Sequence, residues 1–485
     1  MSDNWNPKPG DRVFRPRRIS KFHLRRVLGI SAVFSAGYGN VGSSIYYALG
    51  IVALVAGGAT PVALGIAGIL FIFTALTYAE GTSAIPEAGG SASFARNAFG
   101  DTAGFIAGWA LMLSYIVTIS ISAFTIPPYL GFFWEPFKAS PIIGTFASIG
   151  IVFFLMVINV IGIKETSFIN IGATIIDILT QVTLVIIGFI TLFNPGVVIQ
   201  RIIDNWPSAG NLVFGIALAT IAYTGIETMS QMAEETKKPE KSVPRALIMM
   251  IVAVLVIFAG ISLVSLSAMP VEELASEWSR DPVAGIAFYI PIEMIQVILK
   301  PLIAILAGTI LLIATNAGLI GMSRLAFSQG VHGLVPSAFS RVHHKFKTPY
   351  ISIIIFSLIA IALLIPGFFA TDVFANMGAL YAIGSLLAFM FAHASIIGLR
   401  FKKPDMPRPF RLKGNFNITG FDVPITAVIG LLATISIWII ILILEPYSRW
   451  VGLGWMFVGL VIYYFIRQRR RKKTDEWQIK PKMKL

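Results

Sequence analysis

Gly37-Tyr38-Gly39-Asn40-Val41-Gly42-Ser43-Ser44 lies in the middle of an apolar run from Val27 to about Ala56. Glycine costs about 1 kcal/mol at a helix-interior site, and this stretch combines several glycines with an asparagine and two adjacent serines. In a bilayer the penalty grows, because a freed N–H or C=O has no water to bond. Such a break persists where it lines a cavity and a ligand, an ion or a neighbouring helix satisfies it. The stretch therefore reads as half of a binding site. It also spells G-x-G-x-x-G, but a dinucleotide turn needs a preceding strand, a βαβ unit and an acidic residue about 20 positions on. The flanks here are apolar with no period-two alternation, which sets that reading aside.

Of 485 residues, 56% are hydrophobic and 13% charged, whereas soluble domains carry about 25% charged residues. An all-α integral membrane protein is expected. The chain has no cysteine, so neither disulfides nor thiolate metal sites contribute. Runs of spanning length, about 20 residues for about 30 Å of hydrocarbon, fall at roughly 27–57, 61–83, 102–131, 142–163, 168–193 and 211–232. Further runs follow at 244–268, 289–322, 349–367, 373–398, 423–445 and 451–466. That predicts twelve transmembrane helices with both termini on one side. Sorting the loops on this scheme puts 33 of the 38 Lys and Arg on the terminal side, a strong positive-inside signal that makes both termini cytoplasmic. The net charge of +14 then reflects topology and contact with anionic lipid heads in the bilayer, with no nucleic-acid partner. The organisation expected is a basic tail over 1–26 without the apolar core of a signal peptide, a ten-helix core over 27–398, helices 11 and 12 with their preceding loop over 399–466, and a basic tail over 467–485.

The sixth span carries Ile221-Ala222-Tyr223-Thr224-Gly225-Ile226-Glu227 at mid-length. A glycine beside a glutamate in hydrocarbon predicts a second interruption. If the first ten spans form two repeats of five, the sixth corresponds to the first, and because five is odd the second repeat is inverted. Gly-interrupted segments at matching positions in two halves point to a transporter's site. Half-helix N-termini offer N–H groups to an anion and C-termini offer carbonyls to a cation, and an α-amino acid carries one of each.

Further motifs extend over nearly the whole chain. They are Tyr78-Ala79-Glu80 with Pro86-Glu87-Ala88-Gly89-Gly90, Gly104-Phe105-Ile106-Ala107-Gly108-Trp109, and Asn159-Val160-Ile161-Gly162-Ile163-Lys164-Glu165. Gly225-Ile226-Glu227 continues through Glu234-Glu235-Thr236-Lys237-Lys238-Pro239-Glu240 to Pro244-Arg245-Ala246, and Ser323-Arg324 leads through Gly333-Leu334-Val335-Pro336 to Thr348-Pro349. In this order the chain resembles the amino acid–polyamine–organocation (APC) permeases. The resemblance implies a LeuT-type fold of two inverted five-helix repeats, helices 1 and 6 broken, plus two C-terminal helices. It implies substrate contacts at Gly39, Asn40, Val41, Gly42, Ser43 and Ser44 in helix 1 and at Ala222, Tyr223, Thr224 and Gly225 in helix 6. In that family N–H groups of the first break hold the substrate carboxylate, and carbonyls near Asn40 and Ala222 to Thr224 hold its ammonium. The family's usual Gly-Ser/Thr-Gly is Gly42-Ser43-Ser44 here, and the position often held by a gating aromatic is Ile221.

Asp177 lies near the middle of the fifth span, where a carboxylate costs roughly 2.5–3.5 kcal/mol on insertion scales and is functional by default. Its uses are a proton site, a sodium ligand or a counter-charge, with Thr315 and Asn316 as oxygen partners suited to a hard cation; the alternative is a structural hydrogen bond. Glu227 is expected to brace the broken sixth helix, His393 to be a packing histidine, Glu80 to pair locally or face water, and 324–348 to lie as an amphipathic segment at the interface. No nucleophile–base pair, metal-ligand spacing or phosphate loop is visible, so no enzyme, cofactor or metal is expected. The reading is a plasma-membrane amino-acid transporter, coupled to H+ or Na+ or working as an exchanger. A potassium, other inorganic-cation or polyamine carrier on the same fold, and a non-transporting amino-acid sensor, are the alternatives.

Overall fold

The computed structural model describes residues 26–162, 167–370, 373–418 and 420–479. The motif residues Ile163, Lys164 and Glu165, residues 1–25 of the first tail and 480–485 of the last lie outside them. The helices, in chain order, are α1 (Ile30–Val41), α2 (Ile45–Ala56), α3 (Thr60–Ala84), α4 (Ser91–Phe99), α5 (Asp101–Leu130), α6 (Pro136–Ala139), α7 (Pro141–Ile161), α8 (Ser167–Thr191), α9 (Pro195–Asp204) and α10 (Ala209–Ala219). They continue with α11 (Glu227–Gln231), α12 (Pro239–Ala268), α13 (Val271–Ala275), α14 (Pro282–Tyr289), α15 (Glu293–His332), α16 (Tyr350–Leu364) and α17 (Val373–Lys402). A short antiparallel hairpin, β1 (Asn415–Ile418) and β2 (Phe421–Pro424), precedes α18 (Ile425–Leu444) and α19 (Pro446–Ile479).

Among the described residues, 11 stretches are long and apolar enough to cross a membrane. The first, Ile30–Ala84, runs 55 residues and is interrupted at Gly57, whose φ of +52° suits only a residue without Cβ. The spans sort by burial. In α5, 94% of the apolar window is inside the protein, against 28% in α18 and 17% in α19. A helix apolar all round belongs in a core, and α5 is that central post, packed against α15 and α17. Large apolar side chains such as Ile190, Met294 and Phe457 are exposed on the rim.

Loop contacts divide the extramembrane segments between two faces. On one, Val27 and Leu28 bond Glu235, Ala88 bonds Glu234, Arg324 pairs with Glu235, and Lys402 reaches the Ala98 carbonyl. On the opposite face Gly58 bonds Asn205, Arg201 holds the Leu266 and Met269 carbonyls, and Lys138 pairs with Asp281. The first is the basic face of the sequence.

Three expectations change here. Residues 324–332 continue α15 to His332, so the expected interfacial segment is in part an extended helix. The last helix runs on to Ile479, beyond the predicted 466. Glu80 neither pairs locally nor faces water. It is 0% exposed, with Arg400 Nε and Nη2 each 2.8 Å from its two oxygens, Arg408 Nε at 3.5 Å, and the Leu412 N–H at 2.7 Å. This cluster ties α3 to α17 and to the loop that follows, which Arg408 folds by donating to the Leu399, Lys403, Pro404 and Met406 carbonyls. His393 is a buried packing histidine, with Thr74 and Thr77 hydroxyls at its ring nitrogens and Gly430 against the ring.

Removing one partner of a buried pair costs about 3–5 kcal/mol, whereas replacing both with apolar groups is often neutral. Arg400→Ala is therefore expected to lower the thermal unfolding midpoint strongly in detergent, and Glu80→Leu with Arg400→Met to recover most of the loss. A double variant as unstable as Arg400→Ala would show that the pair is not the source of the effect.

Candidate functional site

The two interruptions differ in kind. In the first span the α-helix ends at Val41, one 3-10 turn covers Gly42–Ser44, and α2 resumes at Ile45. Every residue from Val41 to Ile45 whose angles define the caps stays right-handed helical, Gly42 at φ −65°, ψ −33°. The expected unwound break is thus only a tightened turn. Its cause is local: the Ser43 and Ser44 hydroxyls both donate to the Asn40 carbonyl, at 3.0 and 3.3 Å, back-bonding of the kind that bends helices without opening them. That carbonyl, predicted as an ammonium ligand, has both lone pairs engaged.

The sixth span is broken outright. A 3-10 turn over Thr220–Tyr223 follows α10, Thr224 is extended at ψ 156°, and Gly225 takes φ +111° before α11 begins. A Cβ on Gly225 would also sit 2.8 Å from Asn40 Cγ, so glycine is required by conformation and by the close approach of the two breaks. Asn40 Nδ2 donates to Thr228 Oγ1 across this seam at 3.1 Å. The Gly225 N–H, freed by the break, donates to Glu227 Oε2 at 3.0 Å.

Among the described residues the seam holds buried polar atoms with no hydrogen-bond partner, Asn40 Oδ1 and Glu227 Oε1. Beside them are the Tyr78, Tyr115 and Tyr381 hydroxyls, which approach Ser91, Thr228 and Thr224 without making a well-formed bond. Native interiors leave few such atoms, and each calls for a water, an ion or a ligand. Tyr115, Tyr381 and Tyr78 are fully buried, and sequence reasoning missed all three, because a tyrosine in a span looks like core until its hydroxyl is found unpaired. Tyr223 faces elsewhere. Its hydroxyl donates to the Leu64 carbonyl at 2.8 Å and its ring packs on Phe71 and Phe258, so its side chain lies away from the seam. Gly39 packs against Ile313, and Ala222 and Val41 are fully buried.

Asp177 sits beside the first turn and not beside the second break. Tyr46 donates to its Oδ1 at 2.7 Å, and Tyr38 and Gln181 to its Oδ2 at 3.1 and 2.6 Å. The tyrosines come from either side of the 42–44 turn, so one carboxylate clamps both flanks. Thr315 and Asn316 are not its hydrogen-bond partners: Thr315 donates to the Leu311 carbonyl at 2.8 Å and Asn316 accepts from Asn159 at 2.6 Å. Spacing along α15 could not reveal its rotation. Gly42 lies under the Tyr38 ring, 2.5 Å from where its Cβ would stand.

On the opposite face, α13, α14 and the residues around them cap the first turn's exit. The Ser279 carbonyl rests on Gly50, where any Cβ would collide. Beside the cap opens a vestibule of about 390 Å³ lined by Leu54, Lys138, Glu277, Arg280 and Phe374. Burial pushes the Asp281 carboxyl up to about 6, even though Lys138 stands 2.8 Å away and opposes the rise.

Two outcomes follow. Gly225→Ala forces a strained backbone, costing about 1–3 kcal/mol, and should cut substrate binding roughly tenfold or more with insertion intact; Gly42→Ala needs only a shift of the Tyr38 ring and should cost less. Equal binding by Gly225→Ala and the parent would reject the seam as the site. For Asp281 the folded state holds its proton more tightly than the unfolded chain. Stability from this group is therefore gained as pH falls through about 6, and an unfolding midpoint measured at pH 7.5 and 5 should lose that component in Asp281→Asn.

A family model described as amino acid permease matches residues 28–466. The chain is 27% identical over 486 residues to the branched-chain amino acid permease BcaP of Bacillus subtilis, covering 95% of each. It is 27% identical to the methylthioribose transporter of the same species, over 93% of this chain and 94% of that one. It is also 26% identical to the low-affinity putrescine importer PlaP of Escherichia coli, over 95% and 97%. With the family's model spanning every helix that builds the seam, the chain belongs to the amino acid permeases of the APC superfamily.

Proposed function

We propose that this permease is a secondary active transporter that moves an amino acid across the plasma membrane by alternating access, with both termini cytoplasmic. The observation that carries the reading is the seam at Gly225, where an opened helix meets Asn40 and leaves buried polar atoms without a partner among the described residues. The acceptors Asn40 Oδ1 and Glu227 Oε1 suit an α-ammonium better than the filled Asn40 carbonyl does. Glu227 takes the bracing role, since its other oxygen closes the Gly225 N–H. Backbone of Gly39 to Ser44 and Ala222 to Gly225 forms the walls of the site.

The twelve-crossing, LeuT-type arrangement belongs to the same proposal. Fifty-five residues of helix would run about 80 Å at 1.5 Å each, far beyond one crossing of about 30 Å, so Ile30–Ala84 counts as two. Packing supports an inverted pair of five-helix repeats. With the crossings numbered one to ten, the first four each pack against the one five places on: α1 with α11, α3 with α12, α5 with α15, and α7 with α16. A two-fold axis between repeats brings such equivalent elements together.

Asp177 is the proposed coupling group, and a proton fits it better than sodium. Its partners are neutral hydroxyls and an amide, while Thr315 and Asn316 bond Leu311 and Asn159 and supply no oxygen beside it. A polyamine is the second reading, favoured by the resemblance to a putrescine importer and by the two buried carboxylates, Asp177 and Glu227.

The test is thermal stabilisation of the purified protein by each of the twenty amino acids and by putrescine, with and without sodium, at pH 5.5 and 7.5. A ligand at 100 times its Kd stabilises by about 2.7 kcal/mol. One amino-acid class should raise the midpoint, proteoliposomes should take it up with an imposed proton gradient, and Asp177→Asn should remove the gradient's effect. A shift with putrescine alone would turn the reading to a polyamine carrier, and binding without uptake to a sensor.

A further inference from the structure

The central carboxylate is wired to the cap on the opposite face. Tyr46 donates its hydroxyl to Asp177 at 2.7 Å, and its backbone carbonyl accepts from the Tyr129 hydroxyl at 2.8 Å. The Tyr129 hydroxyl in turn accepts the Val283 N–H at 3.4 Å, in the first turn of α14. That N–H has no partner within its own helix, so Tyr129 supplies what the helix cannot. The Tyr46 and Tyr129 rings meet edge to face with centroids 5.4 Å apart. A second, separate contact runs in parallel: α2, which begins one residue before Tyr46, meets the cap backbone directly where Gly50 receives the Ser279 carbonyl. All of Tyr46, Tyr129, Val283 and Ala287 are 0–1% exposed.

We propose that Tyr129 is a positioning residue that transmits the state of Asp177 to the cap of residues 269–292, so that the cap stays seated while Asp177 holds Tyr46 and lifts when that hold is released. The proposal rests on the reading of Asp177 as the coupling group. In it, one tyrosine pair gives the transporter its link between an ion-coupling event at mid-membrane and access from outside. Tyr129 touches neither the seam nor Asp177, and acts by fixing the backbone of Tyr46 against α14. Release of Asp177 allows α2 to move as a unit, and the cap, bonded to it through Tyr129 and seated on Gly50, moves with it.

The chain has no cysteine, so one introduced thiol is the only target for a membrane-impermeant maleimide. Ala287→Cys places it on a buried position of the cap itself and Glu135→Cys on the exposed surface of the same face. In cells at fixed pH, Asp177→Asn and Tyr46→Phe should each raise labelling at position 287 roughly tenfold and leave position 135 unchanged. In a Tyr129→Phe background the cap is held to α2 only at Gly50, labelling should already exceed the parent's, and Asp177→Asn should then change it less than twofold. A merely structural tyrosine would instead leave the response to Asp177→Asn intact, and that result, or parental labelling in Tyr129→Phe, overturns the relay. Uptake under a proton gradient, measured on the same cells, separates the two claims. Lost gradient dependence in Asp177→Asn with independent effects at Tyr129 removes the relay and keeps the coupling. Retained gradient dependence with the non-additive labelling removes the coupling reading and keeps the structural link.

Discussion

Inside a bilayer every backbone polar group must find a partner within the protein, and the rest of this architecture follows from where that rule is strained. At Gly225 the sixth span gives up its helix, and the freed N–H is closed by Glu227, two residues on. A carboxylate at that depth is costly unless it is held. The break and the charge therefore resolve each other, one supplying a donor and the other an acceptor. What is left unpaired, Glu227 Oε1 and Asn40 Oδ1 with the surrounding tyrosine hydroxyls, is the polar surface a small zwitterion would need in an otherwise apolar interior.

The buried charges fall into two classes, told apart by their partners. Glu80 is matched by guanidinium groups and a backbone N–H, which gives a closed, charge-neutral joint between α3, α17 and the following loop. Asp177 is matched only by neutral donors, so its own charge is uncompensated by any of them. A paired site resists change because breaking it strands an ion. A site held by hydroxyls and an amide strands no partner ion when it is protonated, and the oxygen that takes the proton can let go of the donor it held, which makes it the better place for the proposed coupling.

Much of this was legible in the sequence, for reasons that can be traced to particular residues. Glycine next to glutamate in a span is expensive twice over, so Gly225-Ile226-Glu227 announced its break. The basic loops announced their common face. Helix rotation was not legible: Thr315 and Asn316 share the neighbourhood of Asp177 in composition but bond to Leu311 and Asn159. Nor was a pair separated by 320 positions, as Glu80 and Arg400 are. The first span misled in a subtler way. Glycine frequency suggested unwinding, but Gly42 keeps helical angles and serves to admit the Tyr38 ring.

That difference between the two breaks bears on which one moves. The sixth span is extended at Thr224 and left-handed at Gly225, a conformation with its own internal cap, and closing it would require the Glu227 carboxylate to lose its donor. The first span needs only to trade 3-10 bonds for α-helical ones over Gly42–Ser44, a small change in dihedral angles. Its shape is held by side chains: serine hydroxyls on Asn40 from within, and Tyr38 and Tyr46 on Asp177 from outside. In the proposed mechanism the sixth span is thus the fixed socket and the first the movable arm. The two-state element lies in the arm, and the carboxylate that grips both its flanks is the group able to bias it.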